Sequence, residues 1–313
     1  MSLPRAAAAS VDVLPMFLTE EQRALGARLG SAAAEAPWDT LAAKEMVPWL
    51  ARAGFLRLLV PDSGDDGGDP RAPGGAARLS VRALCVAREA LAYHSATADS
   101  IFAVQGLGSH SLTLTPGAVH RDDALRNVRN GTATWAFALT EPDAGSDVAS
   151  LRTTAREDGD GFVLDGAKTF ISNAGIATHY CVFANARPEL GKKGISAFVV
   201  PAGAPGLRIE AQRAGGDHPL GAVLFSGVRV PRTALVGDVG QGLRLALGTL
   251  DVFRTSVGAA ALGLARRAFD EAVARVRSRR QFGQRLVDFQ LTQGALAEMA
   301  LDLEAARLLV YRA

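Results

Sequence analysis

From about Leu18 to Asn130 the chain repeats its apolar residues every three or four positions. Leu25 and Leu29 follow a polar Thr19-Glu20-Glu21 start, LAAKEMVPWLARAGFLRLLVP continues the pattern, and Val81, Leu84, Ala87 and Leu91 fall on one face of a later segment. That spacing predicts amphipathic helices, the first capped at Thr19. Between about Thr132 and Val236 the period shortens. FALTEP, FVLDGAKTFIS, HYCVFANARP, ISAFVVPA, LRIEAQR and AVLFSGVRVP are short and rich in Val, Ile, Phe and Thr, and EDGDG, PELGKKG and AGAPG separate them. Such a run predicts an antiparallel β-barrel or sandwich, with a tight hairpin through Gly159-Asp160-Gly161. After Gly242 the helical period returns in Leu243, Leu247, Leu250, Phe253, Val257, Ala261 and Leu264 and runs to Arg277, a helix of about 54 Å. A second long helix is predicted from Asp288, with Phe289, Leu296, Met299, Leu303, Ala306 and Val310 on one face. The expected class is α+β: a helical domain over 1–131, a β domain over 132–236, and two long helices of a bundle over 237–313.

Composition narrows what such a chain can do. At 313 residues it can bury a substantial core, and its formal charge of +2 lacks the concentrated basic face of a nucleic-acid binder. The basic cluster RVRSRRQFGQR (275–285) is local. Cys85 and Cys181 match no metal or redox spacing and read as buried reduced thiols, which predicts a cytoplasmic protein. His94, His110, His120, His179 and His218 show no ligand spacing, and no metal is expected. The acidic DSGDDGGD (62–69) lacks the glycine register and terminal Glu of a calcium loop and reads as a solvated turn. No apolar stretch reaches the roughly 18 residues that a membrane span requires, and the Ala-rich leader reads as a disordered start.

The chemistry concentrates in four stretches. FALTEPDAGSD (137–147) ends a strand in hydroxyls, carboxylates and free amides; KTFISNAG (168–175) follows a hairpin; FSGVRVP (225–231) closes the β region; and SRRQFGQRLVDF (278–289) links the two long helices. In this order and spacing they resemble the acyl-CoA dehydrogenase family. The resemblance implies FAD as cofactor, and an acyl-CoA or acyl-carrier thioester as substrate in fatty-acid metabolism. It also implies an electron-transferring flavoprotein as acceptor and a homo-oligomer, a dimer or a tetramer. It places Leu139 and Thr140, Phe170 and Ser172 at the flavin, with Phe170 where the family commonly has Trp. A reduced flavin accumulates negative charge, so hydroxyl and amide donors at its edge suit the task. Ser146 would bind the pantetheine arm. Arg279, Gln281 and Phe282 would reach the FAD of a neighbouring subunit, Arg279 at the pyrophosphate.

Two departures stand out. The resemblance implies a glutamate base, drawn in many members from the first long helix just before an arginine. Here Phe253 fills that slot ahead of Arg254, which would be structural or would help set local charge at the substrate side; Asp251 lies on another side of the helix. The alternative position lies beyond Ala313, since the second helix stops mid-pattern at VYRA. The catalytic residue is therefore unassigned, and the expectation is a dehydrogenase shortened within its helical bundle. An oxidase or flavin monooxygenase of the same fold, or a non-catalytic acyl-CoA-binding chain, remain open alternatives.

Overall fold

The computed structural model describes residues 16–60, 79–213 and 217–313; the leader up to residue 15 and the acidic 62–69 stretch lie outside the described residues. Among the described residues five α-helices come first: α1 (Glu20–Glu35), α2 (Ala43–Arg52), α3 (Val81–His94), α4 (Ala96–Thr113) and α5 (Arg121–Asn130). Eight strands follow, β1 (Trp135–Ala138), β2 (Thr154–Asp158), β3 (Gly161–Ser172), β4 (His179–Asn185), β5 (Ile195–Pro201), β6 (Leu207–Ala211), β7 (Leu220–Pro231) and β8 (Leu235–Val236). Then come α6 (Gly242–Ser278), a small hairpin of β9 (Arg280–Gln281) and β10 (Gln284–Arg285), and α7 (Gln290–Arg312). Thr19 caps α1 as expected: its hydroxyl accepts from Gln22 N at 3.2 Å while the Gln22 side chain accepts from Thr19 N at 3.0 Å, a reciprocal pair that satisfies two otherwise orphaned donors.

The chain forms two compact units that cut across the three sequence regions. One comprises the chain up to Thr40 with Ser80–Asp99 and Arg254–Ala313; the other comprises Leu41–Leu79 and Ser100–Phe253. The first unit is helical, with α1 packed on α3, and Leu18, Cys85, Val86, Ala90, Ala259, Leu262 and Tyr311 form a core cluster. Three of its buried charges, Arg88, Asp99 and Glu89, are paired among the described residues. Arg88 grips Asp99 through two bonds of 2.8 Å and donates to Ser256 Oγ at 3.1 Å. Glu89, fully buried, accepts from Arg266 Nη1 and from the Tyr311 hydroxyl, both at 2.6 Å. Leaving either carboxylate unpaired would cost about 3–5 kcal/mol, so these contacts fix where α6 and α7 meet α3.

The second unit holds the sheet, in the order β6-β7-β3-β2-β4-β5-β8, with β1 added beside β4. Pairing is antiparallel except that β1 runs parallel to β4 and β2 meets β4 at one parallel bridge. The β2–β3 hairpin turns through Gly159 and Asp160, with Gly159 in the left-handed region at φ 62°. Phe162, Leu164, Tyr180, Val182, Phe198, Val200, Val223 and Phe225 fill the core of the sheet.

By length and composition alone α6 is long and apolar enough to cross a membrane, a test that the core helix of a soluble protein passes as well. The Gly/Ala-rich stretch GAAALGLA explains this: small residues keep polarity low without offering a continuous greasy surface. Of its apolar window 44% is buried within the protein itself. Both cysteines are free and buried, as expected.

Candidate active site

At the end of β1 the chain leaves the sheet through Leu139, Thr140 and Glu141, and a lysine from β3 meets it there. Lys168 Nζ donates to Glu141 Oε1 at 2.7 Å and to the Leu139 carbonyl at 3.1 Å. The other donors to Glu141 are backbone amides, Thr153 N to Oε1 at 3.0 Å and Arg152 N to Oε2 at 2.6 Å. The two side chains are 0% and 5% exposed. Burial pulls the Lys168 ammonium down to about 8 against the opposing charge of Glu141. Burial also pushes the Glu141 carboxyl up, but the Lys168 charge and the two amides outweigh it and hold it below its ordinary value. At neutral pH the pair is therefore ionised. A second tie closes the rim: Thr169 N donates to the Thr140 carbonyl at 2.9 Å.

Beyond Lys168, β3 carries an irregularity. Lys168 pairs with Val223 of β7 but Ile171 pairs with Gly221, so β3 spends one residue more than β7. The resulting bulge turns Phe170 into the left-handed region at φ 54° and leaves it 63% exposed. Bulges beside active sites re-aim side chains, and a bulky residue at positive φ is strained unless its surroundings hold it. Gln212 does so: its Oε1 accepts from Phe170 N at 3.0 Å and its Nε2 donates to Thr169 Oγ1 at 2.9 Å. Ser172, at the end of the strand, is half-buried, as is Thr140. Among the described residues nothing engages the hydroxyl of either, and nothing takes the Thr140 N–H. Leu139, Thr140, Phe170 and Ser172 thus come together on one rim with donors to spare. Ser146 lies exposed on the loop leaving it, near a surface pair of Arg152 with Asp143 at 3.3 Å.

The slot occupied by Phe253 has the opposite character. The side chain is 2% exposed and meets the ring of His110 edge-on, with centroids 5.7 Å apart. Its ring lies so close to α4 that a Cβ on Gly106 would come within 2.6 Å of it. His110 is 4% exposed, and among the described residues neither ring nitrogen has a partner. Burial drops its pKa to about 4, so the imidazole is neutral at pH 7. Asp251 and Arg254 are exposed.

Arg279, Gln281 and Phe282 belong to the β9–β10 hairpin of the helical unit. Gln281 pairs with Gln284, and the turn between them is Phe282 and Gly283, with φ of 52° and 79°. Two positive φ values define the tight turn whose twist suits a two-residue hairpin; Gly283 takes it without strain, whereas Phe282 does not. Phe282 stands 94% exposed at the tip. Arg285 braces the base of the hairpin by gripping Asp288 at 2.8 and 3.1 Å, while Gln281 Nε2 donates to the Arg280 carbonyl at 2.7 Å.

Residues 136–228 match the sequence profile of the acyl-CoA dehydrogenase middle domain, and residues 240–313 match that of the acyl-CoA dehydrogenase C-terminal domain. The chain belongs to the acyl-CoA dehydrogenase family. Probable acyl-CoA dehydrogenase FadE25 of Mycobacterium tuberculosis is 37% identical over 274 residues, 86% of this chain and 68% of that protein. The caffeyl-CoA reductase-Etf complex subunit CarC of Acetobacterium woodii is 34% identical, over 86% of this chain and 70% of its own. Among solved structures, a glutaryl-CoA dehydrogenase of Mycobacterium smegmatis in complex with FADH2 superposes with a TM-score of 0.84 at 25% identity, covering 97% of this chain and 78% of that one. FAD is thus a cofactor of this acyl-CoA dehydrogenase family, whose members are flavoprotein oxidoreductases acting on CH–CH bonds. The match to the middle-domain profile spans the whole rim from β1 to β7. Sequence reasoning missed Glu141, Lys168, Gln212 and His110: their roles depend on partners distant in the chain, and no local signal carries them.

Proposed function

We propose that the rim binds FAD and that the chain carries out α,β-dehydrogenation of an acyl-CoA thioester. The observation that carries this reading is the set of unengaged donors, Thr140 N–H, Thr140 Oγ1 and Ser172 Oγ, around a Phe170 held exposed by a bulge. That donor set fits a flavin, which when bound supplies a hydride acceptor and takes up negative charge on reduction. Thr140 and Ser172 would donate to the polar edge of the ring, and Phe170 would cover part of its face. Ser146 would hold the pantetheine arm; Arg254 would bias charge beside the substrate; Arg279, Gln281 and Phe282 would meet the adenosine half of an FAD belonging to a neighbouring copy in a homo-oligomer. The FADH2 bound by the M. smegmatis enzyme and the Etf complex to which CarC belongs support FAD and an electron-transferring flavoprotein as cofactor and acceptor here. Two buried thiols, each raised to about 12 by burial, favour a reducing, cytoplasmic setting.

Proton removal is the weak half of this site. Phe253 cannot accept a proton, and general-base catalysis contributes about 10²–10⁴-fold in rate. The buried packing of Phe253 and His110 favours a second reading, a chain that binds flavin and acyl-CoA without turning over. The visible spectrum of the purified chain before and after anaerobic medium-chain acyl-CoA separates them. Bleaching of a flavin band supports dehydrogenation; an unchanged band supports binding alone; the absence of flavin refutes the rim assignment. Rapid reoxidation of a bleached flavin by air would move the assignment to an oxidase or monooxygenase.

A further inference from the structure

The rim holds a charge that flavin binding by Thr140 and Ser172 does not itself explain. Lys168 is entirely buried, yet its ammonium is not spent on Glu141 alone: it also takes the carbonyl of Leu139. That carbonyl shares one peptide group with the Thr140 N–H. In a trans peptide the C=O and N–H point in opposite directions, so an ammonium fixed on the oxygen fixes the N–H facing the other way. Hydrogen bonds also polarise one another in series, and a charged donor on the carbonyl makes the attached N–H a stronger donor. The effect is largest where the dielectric is low, which a side chain with no exposed surface guarantees. We propose that Lys168 is a positioning residue, which aims and polarises the Leu139–Thr140 peptide so that the Thr140 N–H stabilises the reduced flavin more than the oxidised one. The proposal rests on the flavin reading above.

The surroundings keep the ammonium in place. Glu141 anchors Nζ at 2.7 Å and is itself pinned by the Arg152 and Thr153 amides. Thr169 N, the residue after Lys168, holds the Thr140 carbonyl, so the next peptide is fixed as well. Only the positive end of the pair touches the Leu139–Thr140 peptide, while the negative end is absorbed by amides of another segment. The bulge that follows Lys168 lets one strand keep the lysine buried and expose Phe170 two residues later, with Ser172 half-buried at its end, which couples the buried charge to the rim.

A purely structural ion pair would weaken both redox states of the flavin equally when removed, and this separates the two roles. Replacing only the lysine strands a buried carboxylate and endangers folding, so the decisive protein is the double variant K168M/E141Q, in which neither charge remains. Dissociation constants for FAD and for dithionite-reduced FAD are measured anaerobically by fluorescence and absorbance titration of the wild type and the double variant. The expected result is that reduced FAD loses about tenfold more affinity than oxidised FAD, equivalent to a downward shift of about 30 mV for a two-electron couple. Equal losses in both states, or no loss in either, overturn the role of Lys168 while leaving the flavin site standing. A wild-type chain that binds neither form overturns the flavin reading and this inference with it.

Discussion

The rim and the Phe253 slot belong to the same compact unit and are built on opposite principles. At the rim, polar groups are made rigid from beneath and left unengaged above: Lys168 and Glu141 lock the backbone, and the donors of Thr140 and Ser172 remain available. At the slot, an aromatic ring closes over Gly106 and a histidine is sealed in with both nitrogens unanswered among the described residues. Polar order set in place beforehand suits a ring that must be stabilised as it is reduced; apolar closure suits packing and puts no carboxylate at the Phe253 position. On the reading proposed above, the rim supplies donors for the cofactor, whereas the Phe253 slot supplies no carboxylate.

That contrast can be broken at either end. Lys168→Met alone leaves Glu141 buried without its partner, and a loss of about 3–5 kcal/mol in urea unfolding is expected; a loss below about 1 kcal/mol would mean the rim does not depend on the pair. The slot answers to acid. The folded-state pKa of His110, about 4, lies below its ordinary 6.5, so the unfolded chain takes the proton first. Stability from this group is complete above pH 6.5 and falls by about 3 kcal/mol as the pH drops toward 4. His110→Phe should flatten that slope and raise stability at pH 7, since two unpaired polar atoms leave the core; denaturant midpoints at pH 7 and 4.5 check both.

Phe253→Glu sharpens the comparison further by placing a carboxylate in the slot. Flavin bleaching by acyl-CoA should accelerate at least ~10²-fold, in line with the worth of a general base, together with a lowered Tm from burying the new group. No acceleration in a folded, flavin-bearing variant would show that the slot does not face the substrate. The smallest effect is expected at the exposed hairpin. Phe282→Asn replaces a residue strained at positive φ with one that tolerates it and should stabilise the protein by about 1 kcal/mol, while weakening FAD affinity if the tip serves the cofactor.

Much of this was legible in the amino-acid sequence, for reasons that differ by element. The helices and strands announced themselves through apolar periods, and TEPDAGSD with KTFISNAG located the rim because strand ends and hydroxyls are local features. The pairing of Lys168 with Glu141 was not legible: the partners lie 27 residues apart, and a lysine in a strand ordinarily reads as a solvent-facing position. Gln212 reaches Phe170 from 42 residues away and leaves no mark near the motif. Phe170 and Phe282 adopt conformations usually signalled by Gly or Asn, so neither the bulge nor the tight turn was foreseen. The parallel seating of β1 beside β4 depends on residues more than 40 positions apart, and α6 concealed its overall greasiness in small residues.

Helices normally loosen from their last turn, where four carbonyls lack intrahelical partners. In α7 that turn contains Tyr311, whose hydroxyl caps a carboxylate on α3 that no water reaches. Unwinding from Arg312 backwards must therefore strip a partner from Glu89 before it frees even one turn of backbone. The amides around Tyr311 should exchange with solvent as slowly as those in the middle of α7.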